Sequence, residues 1–228
     1  ANSLPSHSDP AKRCGVSGMF ERKQDNMMQA KTQSLDQQNI KALEQMLRQH
    51  AELWQCLELL RSLHPDAYIC AGALRNLVWS NLHEQAWVLE QSEIDVIFYD
   101  PNDPEDRVAQ RLAQQLQADC PEYFWDVVNQ ANVHRWYTRA DGQSIAAYTS
   151  LSEAISMWPE TATAVAVRLC ADEQLEVVAP LGLADLFELK LRWNPRMVSH
   201  AVFLQRMQSK GFLYKWPKLR WVKEHVVD

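Results

Sequence analysis

Short apolar runs alternate along this chain with segments of helical periodicity, and no other feature limits its possible folds as strongly. Three runs, at 67–71, 94–99 and 123–128, are rich in β-branched and aromatic residues, which predicts strands. The segments 73–82 and 105–118 lie between them and carry apolar residues at helical spacing. Strands that alternate with helices over short connections favour an α/β (α+β) fold, a mixed β-sheet with flanking helices.

Further elements are predicted on both sides of this region. Asp36 is typical of a helix N-cap, and the apolar spacing after it predicts one helix up to about Leu63. The first 35 residues are polar, which predicts a disordered arm at 1–35 and a single folded domain at 36–228. The elements expected after the third strand are a short helix at 151–157, a hairpin of strands 163–169 and 175–179, and helices at 182–191 and 197–208.

Composition and missing motifs exclude several classes of protein. The 228 residues, 46% hydrophobic and 23% charged, are those of an ordinary globular chain of one-domain size. No apolar run approaches the roughly 20 residues that span a bilayer, and no secretory signal is recognisable. The five cysteines are widely spread without metal-binding spacing, so we expect a cytoplasmic protein. Patterns typical of zinc hydrolases, α/β-hydrolases, P-loop proteins and dinucleotide-binding proteins are all missing.

Charge is distributed unevenly along the chain. The formal net charge is −6, yet residues 189–223 hold nine Lys and Arg and no acid, which leaves 14 basic against 29 acidic residues elsewhere. Aromatic residues interleave with these nine, a mixture typical of grooves that bind single-stranded nucleic acid. The same aromatics are spaced like core residues of the last helices, and we favour this second interpretation because the whole chain is acidic. RNA is therefore a possible but less favoured partner.

Two acids alternate on the second predicted strand. Glu93 and Asp95 are two residues apart, so their side chains project from one face, about 7 Å from each other along the strand. Such carboxylates repel unless a cation lies between them, and Mg²⁺ prefers oxygen ligands of this kind. Asp126, a lone acid on the third strand, would supply a third ligand for a two-metal site. The alternative is that Glu93 and Asp95 lie at a solvated strand end.

A single glycine separates the first strand from the following helix. Gly72 at this turn places free backbone N–H groups at a helix N-terminus, where anions bind. Arg75 lies in the first turn of the same helix and can donate two parallel hydrogen bonds to a phosphate. The alternative is a tight strand–helix corner in which Arg75 pairs with a structural carboxylate. The residues alone do not decide between the two interpretations.

The order of these features resembles the polymerase-beta nucleotidyltransferase superfamily. The segment AGALRN (71–76) is similar to the Gly-Gly-x-x-Arg-Asp head of tRNA-nucleotidyl and poly(A) polymerases. A closer similarity, from about 66 to 221, is to a bacterial family of small nucleotidyltransferase-like proteins that has no assigned substrate. It is carried by GALRNLVW (72–79), IDVIFYD (94–100), WDVVNQANVH (125–134), WPETATAVAVRL (158–169) and APLGLADLF (179–187).

This resemblance implies a nucleotidyltransferase fold and an activity. The chain would transfer a nucleoside monophosphate from an NTP to an unidentified hydroxyl acceptor by a two-metal mechanism. Glu93, Asp95 and Asp126 would bind Mg²⁺ or Mn²⁺, while Gly72 and Arg75 would hold the triphosphate.

Four further residues bear on this implied site. Asn129 and Gln130 follow the third strand closely and either contact the base, the sugar or an acceptor substrate, or cap a loop. Glu93 stands where the family usually has Asp, and Ala73 has no hydroxyl to offer a phosphate. These two departures imply an alternative function, a catalytically weak or inactive nucleotide-binding or regulatory protein of the same fold.

Overall fold

The computed structural model describes residues 17–223, apart from the side chains of residues 17–21 and 91. The chain divides into two compact units, Ala1–Gln38 and Asn39–Asp228. The described part of the first unit is helical and its side chains from 22 to 35 are exposed, whereas the second unit contains the sheet. No helix within residues 17–223 is both long and apolar enough to cross a membrane.

Helices and strands alternate through most of the described chain. The α-helices are α1 (Ser17–Gln49), α2 (Ala51–Leu63), α3 (Gly72–Leu82), α4 (Arg107–Asp119), α5 (Leu151–Ile155), α6 (Ala184–Phe187), α7 (His200–Lys210) and α8 (Phe212–Lys215). The strands are β1 (Tyr68–Cys70), β2 (Glu93–Phe98), β3 (Phe124–Asn129), β4 (Ala166–Leu169), β5 (Leu175–Val178), β6 (Lys190–Leu191) and β7 (Arg220–Trp221).

Five strands form one mixed sheet in the order β3-β2-β1-β4-β5. The central strand β1 is antiparallel to β2 and β4, and β4 and β5 form an antiparallel hairpin. Strands β2 and β3 are parallel because the chain between them crosses over through α4. The prediction of an α+β fold with a mixed sheet and flanking helices is therefore confirmed.

The two faces of the sheet have different surroundings. Ile94 and Val96 of β2 point to the face on which α2, α3 and α4 pack, within the main hydrophobic core. Side chains alternate along a strand, so Glu93, Asp95 and Ile97 point to the opposite face. Ile97 packs there in a smaller apolar cluster, and Asp95 lies two residues before it along β2. The acids of β2 therefore lie on the face that these three helices leave free.

The helix predicted from Asp36 to Leu63 is divided in two at His50. His50 has non-helical backbone angles, φ −99° and ψ 88°, and its Nδ1 accepts a hydrogen bond from the Leu53 N–H at 3.3 Å. It is thus the N-cap of α2. A break of one residue hardly changes the apolar spacing, which is why the sequence pattern did not reveal it.

The segment before Asp36 also differs from its prediction. A disordered arm is predicted for 1–35, but α1 begins at Ser17. No Gly or Pro occurs between residues 19 and 64, and Met, Gln, Lys and Ala are good helix formers, so intrinsic propensity supports the helix without an apolar face. Residues 1–16 lie outside the described residues.

The prediction of a helix at 182–191 is largely wrong. Only Ala184–Phe187 is helical, and Leu189 has a positive φ of 57°. Lys190–Leu191 then pairs in parallel with Arg220–Trp221 as a two-stranded sheet. The partner strand lies about thirty residues further along, so local periodicity could not predict this pairing.

Candidate active site

The turn between β1 and α3 brings backbone and carboxylate together. Ala71 has φ 51° and ψ −116°, and its N–H donates to the Val165 carbonyl at 3.0 Å. The next N–H, that of Gly72, donates to Asp95 Oδ2 at 3.3 Å. A Cβ at Gly72 would lie 3.5 Å from that oxygen and 3.6 Å from Arg75 Nη2. Glycine therefore keeps open the space between a carboxylate and a guanidinium.

The three predicted carboxylates lie on neighbouring strands. Asp95 of β2 is directly paired with Asp126 of β3, so the two residues occupy equivalent positions on parallel strands. Glu93 precedes Asp95 by two residues on the same face and is paired with Phe124. Glu93 and Asp126 are exposed, whereas Asp95 is half-buried. The sheet thus brings Asp95 and Asp126 side by side, with Glu93 nearer the strand's beginning.

The carboxyl group of Asp95 has a raised pKa. Burial first, and then the negative charges of Glu93 and Asp126, raise this pKa from 3.8 to about 6. The Gly72 N–H bond and the charge of Arg75 act in the opposite direction but do not cancel the effect. A carboxyl group with a raised pKa in a cleft is a frequent mark of a functional site. The excess of negative charge around Asp95 favours a bound cation.

This donor set has the chemistry that a divalent cation requires. Carboxylate oxygens on adjacent strands, with a repulsion that a cation would relieve, suit Mg²⁺ or Mn²⁺. Within residues 17–223, however, no three His, Cys, Asp or Glu side chains converge closely enough to hold one ion together. The assignment of Glu93, Asp95 and Asp126 as metal ligands therefore stays a prediction.

Arg75 is buried, and none of the described carboxylates pairs with it. It is 6% exposed, and its guanidinium donates to Asn76 Oδ1 at 3.1–3.2 Å and to Thr163 Oγ1 at 3.3 Å. It also lies over the Phe212 ring, 4.6 Å from the ring centroid. Among the described residues no acid lies within ion-pair distance of it. Of the two interpretations for Arg75, the structure disfavours the structural ion pair.

A cleft of about 280 Å³ opens beside Gly72 and Arg75. Its acidic side chains are Glu93 and Asp95, and two rings, Phe212 and Trp216, also line it. Four basic side chains complete the lining: Arg75, Arg206, Lys210 and Lys215. Acids and bases in one cleft of this size match a cation together with a polyphosphate.

A second cavity, of about 200 Å³, adjoins the cleft. The two share Ala71, Asp95 and Arg206, and the second cavity is also lined by Asp126 and Gln130. Gln130 is thus near the paired aspartates, as a substrate-contacting residue must be.

Asn129 has a different place from Gln130. Its Oδ1 accepts from the N–H groups of Asp100 and Ala131, and its Nδ2 donates to the Asp100 carbonyl at 2.8 Å. It is 1% exposed. Asn129 therefore caps the loops after β2 and β3, which corresponds to the loop-capping alternative and differs from the nucleotide contact predicted for it.

Three basic residues of the cleft were not predicted as site residues. Arg206 and Lys210 lie one turn apart on α7, and Lys215 ends α8. Their only sequence signal is the run of nine basic residues without an acid between 189 and 223. Nothing local shows that this distant helical end folds back against Gly72.

Family comparison assigns the chain to a class of protein. The nucleotidyltransferase family matches residues 58–221, about seven tenths of the chain and all five strands of the main sheet. The chain belongs to this nucleotidyltransferase family. No curated protein matches it.

The chain is also similar to solved structures. One, described as an NMR structure that reveals a CCA-adding enzyme head domain, is 28% identical and has a TM-score of 0.66; the match covers 79% of this chain and 96% of that one. The apo form I of a CCA-adding enzyme is 12% identical with a TM-score of 0.49, and the match covers 78% of this chain and 42% of that chain. The first similarity confirms the nucleotidyltransferase head-domain fold.

Proposed function

We propose that this protein transfers a nucleoside monophosphate from an NTP to a hydroxyl acceptor. The observation that carries the proposal is the cleft, in which Asp95 lies on one side of Gly72 and the buried, unpaired Arg75 on the other. A nucleotide with its cation carries the complementary charges. Membership of the nucleotidyltransferase family supports the same reaction.

Each group has a defined task in this proposal. Asp95 and Asp126, with Glu93, would hold Mg²⁺ or Mn²⁺. With two such ions bound, the site would have an acceptor hydroxyl of lowered pKa and a leaving pyrophosphate of reduced charge. Arg75, kept in place by Asn76 and Thr163, would contact the triphosphate.

The acceptor would approach from the second cavity. Asp126 and Gln130 line it together with Asp95. In-line attack requires the hydroxyl and the leaving group on opposite sides of the phosphorus, and a cavity that adjoins the cleft would leave room for the acceptor. CCA-adding enzymes add nucleotides to an RNA end, so an RNA end is one acceptor to include in the screen.

A transfer assay with labelled NTPs tests the proposal. We expect Asp95→Ala and Asp126→Ala to lower the transfer rate by at least about 100-fold, because each variant loses a charged ligand for the cation. The assay uses each NTP with Mg²⁺ or Mn²⁺ and a panel of hydroxyl acceptors.

Asp119→Ala is the matched control, since Asp119 is an exposed acid at the end of α4. It should keep the wild-type rate. Transfer that is equally fast in all three variants would disprove the assignment of the two aspartates.

A second candidate function is nucleotide binding without turnover. The raised pKa of Asp95, about 6, favours it, because a carboxyl group protonated in part near neutral pH is a weaker metal ligand. Calorimetry separates the two functions. NTP binding that is independent of Mg²⁺, together with no product from any acceptor, would support the regulatory protein, whereas Mg²⁺-dependent binding would support the enzyme.

A further inference from the structure

Glu160 is a fully buried carboxylate that holds one arginine. It is 0% exposed, and its Oε1 accepts a hydrogen bond from Arg206 Nε. Its other oxygen, Oε2, is buried and has no hydrogen-bond partner among the described residues. Burying a carboxylate away from water destabilises the folded state, and the ion pair that it forms rarely offsets this loss of stability. A role in positioning the guanidinium explains the arrangement better than a contribution to folding.

Arg206 lies where the two cavities meet. It lines both the cleft and the second cavity, together with Ala71 and Asp95. Its side chain is one-third exposed, and its terminal nitrogens donate no hydrogen bond to another described residue. Glu160 therefore occupies only the Nε of Arg206, and the outer nitrogens remain available to an anion in the cavities.

A second guanidinium, that of Arg75, lines the same cleft and has no ion-pair partner among the described residues. Burial first, and then the positive charge of Arg206, lower the pKa of Arg75 to about 10, while Glu160 and Asp95 oppose this. The negative charge of one buried residue, Glu160, thus acts on both arginines. Lys210, one helical turn after Arg206, adds a third positive charge to the same cleft. An anion with several oxygens would relieve the repulsion among these groups.

We propose that Arg206, positioned by Glu160, contacts the phosphate chain of the NTP beside Arg75 and makes the site prefer a triphosphate to a monophosphate. A triphosphate has enough charge and oxygen atoms to bind both guanidinium groups, whereas a single phosphate group can bind only one of them in a bidentate manner. This inference rests on the proposed function. Arg206 would be a binding residue and Glu160 a positioning residue.

Calorimetric titration tests the inference without requiring turnover. The probes are nonhydrolysable analogues of the four NTPs and the matching nucleoside monophosphates, with Mg²⁺ present. We expect Arg206→Ala to weaken triphosphate binding about 10- to 100-fold, the worth of a charged hydrogen-bonded contact, and monophosphate binding less than about 3-fold. Arg206→Lys keeps the positive charge but loses the planar guanidinium group, so we expect an intermediate loss of triphosphate affinity.

Glu160→Gln tests the positioning role. Glutamine keeps the size of the side chain and an acceptor oxygen but removes the charge that orients Arg206. We expect the preference for triphosphate over monophosphate to fall in this variant, by less than in Arg206→Ala. A purely structural role for Glu160 would change the thermal midpoint and leave this preference unaltered.

Arg111→Ala is the control, because Arg111 is an exposed arginine on α4 that lines neither cavity. It should bind both probes as the wild type does. Wild-type binding of triphosphate that Arg206→Ala leaves unchanged, or weakens equally for both probes, would overturn this inference alone. A wild type that binds no triphosphate would overturn the proposed function with it. Should Arg206→Ala fail to fold, Arg206→Lys provides the same comparison.

Discussion

At the scale of single residues, Asp95 illustrates how a functional carboxyl group costs stability. It is half-buried, has two acids nearby and receives one backbone N–H at 3.3 Å. Its pKa is accordingly raised from 3.8 to about 6. The folded state then holds the proton more tightly than the unfolded state. This tighter proton binding stabilises the folded state. The stabilisation is complete below about pH 4 and is lost as the pH rises through about 6.

Asp95→Asn should therefore stabilise the protein at high pH. The amide cannot ionise but can still accept the Gly72 N–H bond, so the variant avoids the cost of burying a negative charge near Glu93 and Asp126. We expect a gain of about 1 to 3 kcal/mol at pH 8 without divalent cations and about a third of that gain at pH 4.5. Urea unfolding at both pH values measures the difference.

Asp119→Asn provides the comparison, because Asp119 is exposed and should change stability by less than about 0.5 kcal/mol at either pH. A gain from Asp95→Asn of equal size at pH 4.5 and pH 8 would contradict the electrostatic explanation.

At the scale of elements, the turn from β1 to α3 is the part of the fold on which the cleft depends. Ala71 adopts φ 51°, a backbone region that L-residues other than Asn and Asp rarely occupy. It holds the position that corresponds to the first glycine of the Gly-Gly-x-x-Arg-Asp head. The geometry supplies the reason for a glycine there, since only glycine adopts this conformation without strain. This strained backbone conformation directs the Gly72 N–H at Asp95.

Ala71→Gly should stabilise the protein by about 1 kcal/mol. Relief of strain at a positive φ is worth about 1 to 3 kcal/mol, and the added flexibility of the unfolded chain subtracts about 0.4 to 1 kcal/mol. Ala73→Gly, two residues later in the first turn of α3, is the control and should destabilise by at least about 0.5 kcal/mol. Chemical denaturation measures both. Equal destabilisation by the two variants would show that the backbone of Ala71 carries no strain.

At the scale of the folded unit Asn39–Asp228, the basic C-terminal segment forms one wall of the cleft. Phe203, Phe212 and Trp216 are at most 5% exposed, so these aromatics are core residues, as their spacing predicts. Trp216 packs edge-on against Trp79 of α3 and donates a hydrogen bond to Ser80 Oγ at 3.1 Å. This contact brings Lys215 to the cleft beside Gly72. The rings thus anchor the segment, and three of its basic side chains, Arg206, Lys210 and Lys215, line the cleft.

Trp216→Ala should destabilise the protein by about 3 to 5 kcal/mol, because a large ring leaves the core and Ser80 loses its partner. We also expect weaker NTP binding, since the wall that carries Lys215 loses its anchor. Denaturant unfolding and nucleotide titration measure the two effects.

Tyr214→Ala is the control within the same segment. Tyr214 is 92% exposed, so its removal should change stability by less than about 0.5 kcal/mol. Comparable losses in the two variants would show that the segment is not anchored through Trp216.

Much of the main sheet could be predicted locally. Strands β2 and β3 are short runs rich in β-branched and aromatic residues, and the predicted strands 94–99 and 123–128 lie within one residue of them at each end. The single-residue break at His50 and the β6–β7 pair were missed. The first is a cap inside an unbroken apolar pattern, and the second depends on a partner about thirty residues away. Local periodicity contains neither kind of information.

Only part of the candidate site could be predicted from the sequence. Local signals exist for the five predicted residues Glu93, Asp95, Asp126, Gly72 and Arg75, because they lie on or beside predicted strands or at the start of the helix after one. Arg206 and Glu160 are 46 residues apart and meet only in the folded chain, where the Arg206 side chain of α7 reaches the buried Glu160 carboxylate. Asn129 has the composition of a ligand residue, yet its hydrogen bonds are all used within the fold.

The sequence by itself determined the class of fold and the acids on β2 and β3, because side-chain alternation and β-propensity are properties of neighbouring residues. It also determined the family, through motifs that stay contiguous. Only the tertiary structure decided that Arg75 pairs with no carboxylate of residues 17–223 and that Arg206 joins it from the distant basic end. These contacts join residues far apart in the chain, and burial and charge act across space rather than along the sequence.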